Sequence, residues 1–347
     1  MSTQLPAEWH KQAFTQMTWP HKHTDWAPVL DEATDCFCSI AKAITQYETL
    51  LIVAQCPDEA KRALAKHGVE ASNIVFAQCD TNDTWARDHA FITCLDRQKD
   101  EAILMDFQFN GWGMKFAANH DNMINTRVKD SIARIYAPAT CRHENHLNFV
   151  LEGGSIESDG EGTLMVTSSC LLSANRNNTM SQDAIEQHLK NVFSADRVFW
   201  INHSWLAGDD TDGHIDTVAR FCSPDSIAYV KCYDKDDEHF AELNAMEKEL
   251  EQLRTKDGHP YKLIPLPLPD ACYDDDGERL PATHANFLII NGAVLVPTYR
   301  QPEKDEAALK QLRQAFPDRD VIGIDCSVLI KQHGSLHCST MQYPATE

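Results

Sequence analysis

Polar turns recur along this chain at intervals of about sixty residues, and this recurrence constrains the fold more than any other sequence feature. The turns contain, in order, Asp88, Glu152, His214, Asn286 and Cys338. Short apolar runs alternate with helix-period patterns between the turns, which is typical of α/β proteins. We therefore predict about five α/β units that each present one polar turn to a shared centre.

Local patterns predict the elements of these units. Helical periodicity predicts helices over residues 31–47, 57–67, 181–193, 240–255 and 303–316. Apolar runs predict strands over 50–54, 74–77, 89–95, 102–109, 163–167, 197–202, 227–232, 261–266, 287–290, 294–297 and 321–325. Because no linker rich in Gly, Ser or Pro divides the chain, we predict a single domain over residues 1–347.

The composition is that of a soluble globular protein, with 43% hydrophobic and 24% charged residues among 347. The sequence contains no run of about 18 apolar residues, so we predict no membrane span. The first ten residues lack the basic segment and apolar stretch of a signal peptide, so we expect a cytoplasmic protein without a membrane partner.

The formal net charge of −21 argues against a nucleic-acid partner, because phosphate binding needs a basic surface. The same charge is compatible with a cationic substrate, although acidic solubility alone also explains it. The twelve cysteines include no Cys-x-x-Cys pair, so we predict no zinc site and interpret most of them as buried thiols.

The most acidic turn, Gly208 to Thr217, contains four carboxylates, one imidazole and two glycines. If a strand emerges after Gly213, His214 and Asp216 point to the same side of it. A carboxylate beside an imidazole suits acid–base chemistry and cation binding. The alternative is an acidic surface turn followed by a half-buried strand.

Two further turns hold reactive groups. Cys338 follows the small residues Gly334 and Ser335, so its thiol could sit on a tight turn; a cysteine nucleophile acts as the thiolate. Glu152 precedes two glycines, where backbone and ligand can approach closely. The alternatives are an inert buried thiol and a capped turn with a solvated carboxylate.

Two aromatic segments accompany these turns. Residues 82–88 combine acids with Trp85 and Arg87 and end at Asp88, and residues 109–113 contain Asn110 and Trp112. The first segment could equally be a salt-bridged loop, and the second could hold an ordinary buried tryptophan. Together with the other turns, they supply carboxylates, an imidazole and a thiol, which suit attack on a guanidinium carbon gripped by bidentate carboxylates.

The sequence resembles the agmatine deiminase and Porphyromonas-type peptidyl-arginine deiminase family, within the guanidine-modifying (pentein) superfamily. The resemblance covers nearly the whole chain, through motifs at residues 17–21, 82–88, 107–113, 151–156, 175–177, 208–216, 286–297 and 337–338. It implies an α/β fold in which five ββαβ units form a pseudo-symmetric propeller, in agreement with the spacing of the turns.

The resemblance also implies roles. Cys338 would be the nucleophile, His214 the general acid and base, and Asp88 and Asp216 the guanidinium ligands. Glu152 would pair with His214 or with the substrate. We expect further substrate contacts from four residues: Trp85, Trp112, Asp210 and Asn110. The chemistry would proceed through an amidino-cysteine intermediate without metal or cofactor, and a homo-oligomer is expected from the family.

Three segments depart from the family pattern, and they leave the substrate open. These are His333 and Ser335, residues 89–91 after Asp88, and residues 113–116. The acidic turn favours agmatine, which is cationic at both ends. The alternatives are free or C-terminal peptidyl arginine, with Arg127 or Arg142 as carboxylate clamps, an amidinotransferase, and a non-catalytic guanidine- or metal-binding module.

Overall fold

A computed structural model of the protein describes residues 3–346, so residues 1, 2 and 347 of the predicted single domain lie outside the described part. Its α-helices are Leu30–Ile44, Pro57–Lys66, Ala86–His89, Gly111–Met114, Ile124–Tyr136, Ser168–Leu171, Gln182–Phe193, Phe240–Gln252 and Pro302–Ala315. Short 3₁₀ turns lie at Ala27–Val29, Ala71–Asn73, Asp121–Met123, Gly153–Ser155, Ile215–Thr217 and Leu329–Gln332.

The strands are short and are distributed over the whole described chain. They are β1 (Thr3–Gln4), β2 (Gln12–Thr18), β3 (Thr49–Ala54), β4 (Ile74–Gln78), β5 (Ile92–Asp96), β6 (Glu101–Gln108), β7 (Thr140–Val150), β8 (Ile156–Ser158), β9 (Thr163–Thr167), β10 (Arg197–Ile201), β11 (Ala219–Ser223), β12 (Ser226–Lys231), β13 (Lys262–Pro267), β14 (Cys272–Tyr273), β15 (Arg279–Leu280), β16 (Leu288–Ile290), β17 (Ala293–Thr298), β18 (Asp320–Asp325) and β19 (Thr340–Pro344).

One strand order is repeated in the sheets. In β5-β6-β7, β8-β9-β10, β11-β12-β13 and β16-β17-β18, an antiparallel pair is followed by a helix and a parallel third strand. The sheet β19-β2-β3-β4 has the same start, with β19 antiparallel to β2 and β2 parallel to β3. The fold is therefore a mixed α/β fold made of similar sheets, as the spacing of the polar turns predicts.

The two ends of the described chain meet in one sheet. Strand β19, near the C-terminus, pairs with β2, near the N-terminus, and Thr340 lies opposite Met17. Since Cys338 immediately precedes β19, this pairing places its turn beside the N-terminal segment. Buried apolar side chains from the helices and sheets then form the core on both sides of the sheets.

Most predicted elements are confirmed to within a few residues at their ends. The elements that were not predicted include the helix Ile124–Tyr136 and the strands β2, β7 and β19. Strand β7 contains Arg142, His143 and Glu144 and is only partly buried over most of its length, so it lacks the apolar run that indicates a strand. The strand predicted over residues 89–95 is wrong at its start, because His89 belongs to the helical turn Ala86–His89.

Within residues 3–346, none of the helices is both long enough and apolar enough to cross a lipid bilayer.

Candidate active site

The five polar turns meet at one place. The backbone N–H of Gly154, beside Glu152, donates to Asp88 Oδ1 over 3.1 Å. The amide of Asn286 donates to the carbonyl of Asp216 over 3.3 Å, and the N–H of Cys338 donates to Asn286 Oδ1 over 3.2 Å. The prediction that these turns share a centre is therefore confirmed.

Cys338 lies on the turn that leads into β19, with 5% of its surface exposed. Its Sγ is 3.4 Å from Asn286 Oδ1 and 3.9 Å from Asp216 Oδ2. Burial, together with the charges of Asp216 and Asp88, raises the pKa of the Cys338 thiol well above its usual value. The thiol is thus protonated at neutral pH.

His214 and Asp216 are fully buried at the same centre, but not on a strand. The 3₁₀ turn Ile215–Thr217 follows His214, and the next strand begins at Ala219. The strand predicted from the alternation after Gly213 is therefore wrong. The hydroxyl of Thr217 donates to the carbonyl of His214 over 2.7 Å, a local bond that favours a turn over an extended ladder.

The His214 ring lies in a strongly negative environment. Its Nδ1 is 3.6 Å from Asp88 Oδ1. Burial acts to lower the pKa of His214, but Asp88, Cys170 and Glu152 outweigh burial and raise this pKa to about 10. His214 is consequently an imidazolium at neutral pH and can donate a proton.

Asp88 lies on the helical turn Ala86–His89, and its carboxylate accepts two hydrogen bonds from outside that turn. Trp112 Nε1 donates to its Oδ2 over 2.9 Å, and the Gly154 N–H donates to its Oδ1. Burial raises the pKa of Asp88 to about 6, and the charge of His214 works against this rise. Gly154 is required for this packing, because a Cβ there would lie 2.6 Å from His214 Nδ1 and 2.9 Å from Asp88 Oδ1.

The hydrogen-bond partner of Glu152 is Arg176, whose Nε donates to both carboxylate oxygens over 2.9 and 3.1 Å. The expected pairing of Glu152 with His214 is therefore corrected: Glu152 acts on His214 through its charge, and its oxygens are taken by a guanidinium. Arg176 also binds Asp212 over 2.6 Å and so joins the turn of Glu152 to the acidic turn.

A pocket opens above Cys338, and three of the four predicted substrate contacts line it. Trp85, Trp112 and Asp210 are at its wall, together with Asp25, Asp83, Asp88, Phe116, Thr211, Gln332, His333, Gly334 and Cys338. No Arg or Lys belongs to this lining among residues 3–346. The lining is thus acidic and aromatic, which suits a cation with an apolar stem.

Asn110, the fourth predicted contact, does not line the pocket. Its side chain accepts from the Gly113 N–H over 2.9 Å and donates to the carbonyl of Asn175 over 2.8 Å. Both bonds stabilise the turn Gly111–Met114, in which Trp112 has a φ of 54°. Asn110 therefore positions Trp112 and does not line the pocket, which corrects the predicted substrate contact. The sequence around Asn110 does not distinguish a residue that stabilises a tight turn from one that binds a ligand.

Neither arginine proposed as a carboxylate clamp reaches the pocket lining. Arg127 is half exposed and lies 3.8 Å from Asp80. Arg142 binds Glu101 and Glu144 on the sheet of β6 and β7.

Sequence reasoning placed Asn286 in one of the converging turns but gave it no role. It also gave none to four further residues of the site: Asp25, Asp83, Arg176 and His337. Asn286, Arg176 and His337 lie in motifs that support the family resemblance, and this was their available signal. Asp25 and Asp83 lie far from Asp210 in the sequence, and only the tertiary structure places them in one wall.

Among residues 3–346, two clusters bring metal-ligating atoms within 4.8 Å of one another: Glu152, Cys170 and His214, and Glu8, Glu157 and His337. In each cluster a carboxylate is already bound by a buried arginine, Arg176 in the first and Arg220 in the second. A guanidinium at this distance opposes a metal cation, so neither cluster is a favourable metal site.

Comparison with known proteins places this geometry in a family. The family profile of the Porphyromonas-type peptidyl-arginine deiminases matches residues 4–344. The agmatine deiminase of Stutzerimonas stutzeri is 30% identical over 98% of this chain and 95% of its own length. Among solved structures, the one named "C. Jejuni Agmatine Deiminase" is 34% identical, with a TM-score of 0.87 over 98% of this chain and 96% of its own.

A Porphyromonas gingivalis structure named "Putative Arginine Deiminase" is 49% identical, with a TM-score of 0.90 over 99% of this chain and 98% of its own. The names of these relatives therefore agree on a deiminase and differ on its substrate. The protein is a hydrolase that acts on C–N bonds of amidines. The chain belongs to the Porphyromonas-type peptidyl-arginine deiminase family.

Proposed function

We propose that the protein is an agmatine deiminase, which converts agmatine and water to N-carbamoylputrescine and ammonia. The observation that carries this proposal is the pocket lining, which combines the Cys338 thiol with the pocket carboxylates Asp25, Asp83, Asp88 and Asp210. A guanidinium at the thiol and an amine at the far end would both meet carboxylates. The guanidinium would lie against Asp88 and Asp216, since carboxylates match its fork of N–H groups.

The first half of the proposed reaction forms a covalent intermediate. A cationic guanidinium beside Cys338 offsets the charges of Asp88 and Asp216, which lowers the pKa of the thiol, so that the thiol releases its proton to solvent and becomes the thiolate. The sulfur adds to the guanidinium carbon, and His214 gives its proton to the departing ammonia. The carbon keeps its bond to sulfur, and an amidino-cysteine remains.

The second half releases the product. His214, now neutral, takes a proton from a water molecule, whose oxygen attacks the same carbon. The carbon–sulfur bond then breaks, the hydroxyl proton of the intermediate passes to the departing sulfur, and the neutral carbamoyl product leaves with the Cys338 thiol regenerated. The roles of Cys338, His214, Asp88, Asp216 and Glu152 are part of this proposal, and their meeting in one buried centre supports it.

A second candidate substrate is free or C-terminal peptidyl arginine. The name of the P. gingivalis relative favours it, and so does a wider groove that continues outward from the pocket through Asp25, Asp83, Trp112 and Phe116. Three histidines line this groove as well, His21, His23 and His120. Against arginine stands the acidic lining, since a substrate carboxylate beside Asp83 and Asp210 would be repelled.

The proposal is tested by measuring ammonia release from agmatine, arginine and a peptide that ends in arginine. We expect turnover of agmatine alone, and its loss in Cys338→Ser with retention in the control Cys56→Ser, whose thiol is exposed. Turnover of an arginine substrate would refute the agmatine assignment and keep the chemistry. Ammonia release that requires an added amine would indicate an amidinotransferase, and metal binding unaffected by Cys338→Ala, without turnover, would indicate a binding module.

We also infer that the five similar sheets are the blades of a pseudo-symmetric ββαβ propeller, the pentein fold, within one domain. The repeated strand order and the pairing of β19 with β2 support this arrangement. A cytoplasmic location belongs to the same proposal and is supported by twelve free thiols. We also propose a homo-oligomer, which light scattering of the purified protein would test.

A further inference from the structure

His337 is adjacent to Cys338 in the chain, and the proposed function gives its side chain no role. The ring is almost fully buried, with 1% of the residue surface exposed. Its Nδ1 is 2.7 Å from Asp216 Oδ2, and its Nε2 is 2.7 Å from Glu8 Oε2. A single imidazole thus bridges the active-site carboxylate and a carboxylate of the N-terminal segment.

The partners of His337 determine its charge. An ionised carboxylate only accepts hydrogen bonds, so both ring nitrogens must carry hydrogen, and the ring is an imidazolium. Glu8 is held ionised because it also accepts from Arg220 Nη2 over 2.8 Å and from the Ile289 N–H over 2.7 Å. Burial acts to raise the pKa of Glu8, but Arg220 and His337 outweigh it and hold this pKa well below its usual range.

The surrounding charges balance. We define the inner cluster as Glu8, Glu157, Arg87, Arg220 and His337, all of them buried. Arg220 binds both Glu157 and Glu8, and Arg87 Nη2 lies 3.8 Å from Glu8. Two arginines therefore offset two glutamates, which leaves the positive charge of His337 to offset Asp216.

One oxygen of Asp216 is open only in the sense that no group within residues 3–346 forms a hydrogen bond with it. Oδ2 is occupied by His337, whereas Oδ1 is buried and has no hydrogen-bond partner among residues 3–346. Burial acts to raise the pKa of Asp216, but His337 and His214 outweigh it and lower this pKa. The other charged or titratable groups that act on Asp216 are Arg220, Arg87, Asp88 and Cys338.

We propose that His337 is a positioning residue: its imidazolium, anchored on Glu8, holds Asp216 as an oriented carboxylate whose open oxygen receives a planar cation beside the Cys338 thiol. This inference rests on the proposed function only in taking the site's ligand to be an amidine or guanidine cation. It assigns to Glu8, far from Cys338 in the chain, a share in the strength with which the site binds that cation.

The first test is the substitution His337→Asn. The Asn amide nitrogen takes the place of Nδ1 and can still donate to Asp216, but the positive charge and the link to Glu8 are lost. We expect Asp216 to take up a proton more readily, so that the site loses affinity for cations as the pH falls. Inactivation by 2-chloroacetamidine, a cationic thiol reagent, and by iodoacetamide, a neutral one, is followed from pH 6 to 9.

The expected result is selective. The concentration of 2-chloroacetamidine that half-saturates inactivation rises about tenfold at pH 6, as expected when about nine-tenths of the Asp216 carboxyl is protonated in the variant, and rises less at pH 9. The rate with iodoacetamide changes by about twofold or less, because a neutral reagent does not need the carboxylate. An equal loss with both reagents at every pH would show that His337 only supports the fold and would overturn the proposal.

Two further measurements, on Glu8→Gln and on the wild-type protein, test the role of His337 even if His337→Asn does not fold. Glu8→Gln preserves the shape and removes the charge, and it should move the same pH profile in the same direction. In the wild type, ¹⁵N NMR should show both His337 nitrogens protonated between pH 6 and 8; one unprotonated nitrogen would overturn the proposal.

His239→Asn is the matched control. His239 is equally buried and bound to a carboxylate, Asp237, but its Nε2 accepts from the Ala207 N–H, and it lies outside the inner cluster. It should leave the 2-chloroacetamidine profile unchanged. Because inactivation needs no turnover, a wild type that is inactivated but does not hydrolyse agmatine would refute the proposed function alone.

Discussion

Two groups of carboxylates lie on either side of Cys338, and they differ in their counter-ions. In the inner cluster, Glu8 and Glu157 are bound by Arg220, and Glu8 also by His337. The pocket carboxylates Asp25, Asp83, Asp88 and Asp210 line a wall that contains no Arg or Lys within the described chain. Burial raises the pKa of both Asp83 and Asp88 to about 6, whereas the pKa of Glu8 is held below its usual range.

The difference separates structure from ligand binding. A buried carboxylate without a fixed cation costs stability, and this cost is relieved when a cationic ligand arrives. Glu8 and Glu157, whose charges are offset by Arg220 and His337, contribute to the folded state and lie outside the pocket lining. The predictions below test this separation by removing a charge from one group at a time.

Arg220→Met should produce the largest effect, a loss of about 3–5 kcal/mol in the free energy of unfolding, because Glu8 and Glu157 would stay buried without their cation. Urea denaturation measures it. The control Arg197→Met removes a partly exposed arginine that donates to Thr163 and to the carbonyl of Arg254, and should cost about 1 kcal/mol. Equal losses for the two variants would contradict the special status of the inner cluster.

Asp88→Asn should reverse this pattern. We expect kcat/KM to fall by about 10²–10³-fold, because a charge aimed at the guanidinium is lost. The free energy of unfolding should change by about 1 kcal/mol or less, since an amide escapes the burial penalty of the carboxylate but satisfies only one of its two donors. The control Asp106→Asn, at a buried carboxylate bound by Asn125, should affect stability and leave kcat/KM unchanged.

Activity should depend on pH through Asp88. Its pKa is about 6, so the carboxylate is ionised above that pH and protonated below it, and kcat/KM should fall about tenfold per unit as the pH drops below 6. Trp112→Phe removes a donor that lowers this pKa, so the acid limb should move to higher pH. A profile that is flat between pH 5 and 7 would be inconsistent with an ionised Asp88 in the binding step.

Asn110→Ala should have the smallest effect. Loss of the bonds that stabilise the turn Gly111–Met114 should lower the free energy of unfolding by about 1 kcal/mol. KM should rise by about threefold or less, since Asn110 reaches the ligand only through Trp112. A rise in KM like that of a direct contact would restore the role that the sequence suggested.

The separation of charges was only partly visible in the sequence. The acidic turn and the surplus of carboxylates predict a cationic ligand, and the recurrent turns predict that Asp88, Glu152, His214 and Cys338 converge. The prediction that His214 and Asp216 point to the same place assumed a strand after Gly213. The structure has a 3₁₀ turn there, so the two side chains do converge, but the local structure assumed for them was wrong. The partner of Glu152 was missed because nothing in its own segment indicates Arg176.

By itself, the sequence determined the α/β class, most of the helices and strands, and the residue types of the chemistry, because these depend on periodicity and on short motifs. Only the tertiary structure decided which carboxylates have a cation. Glu8 meets His337 because β19 pairs with β2 and brings both ends of the described chain together, and Arg220 reaches Glu8 from β11 in another sheet. Such pairing depends on contacts between residues hundreds of positions apart, and local sequence carries no record of them.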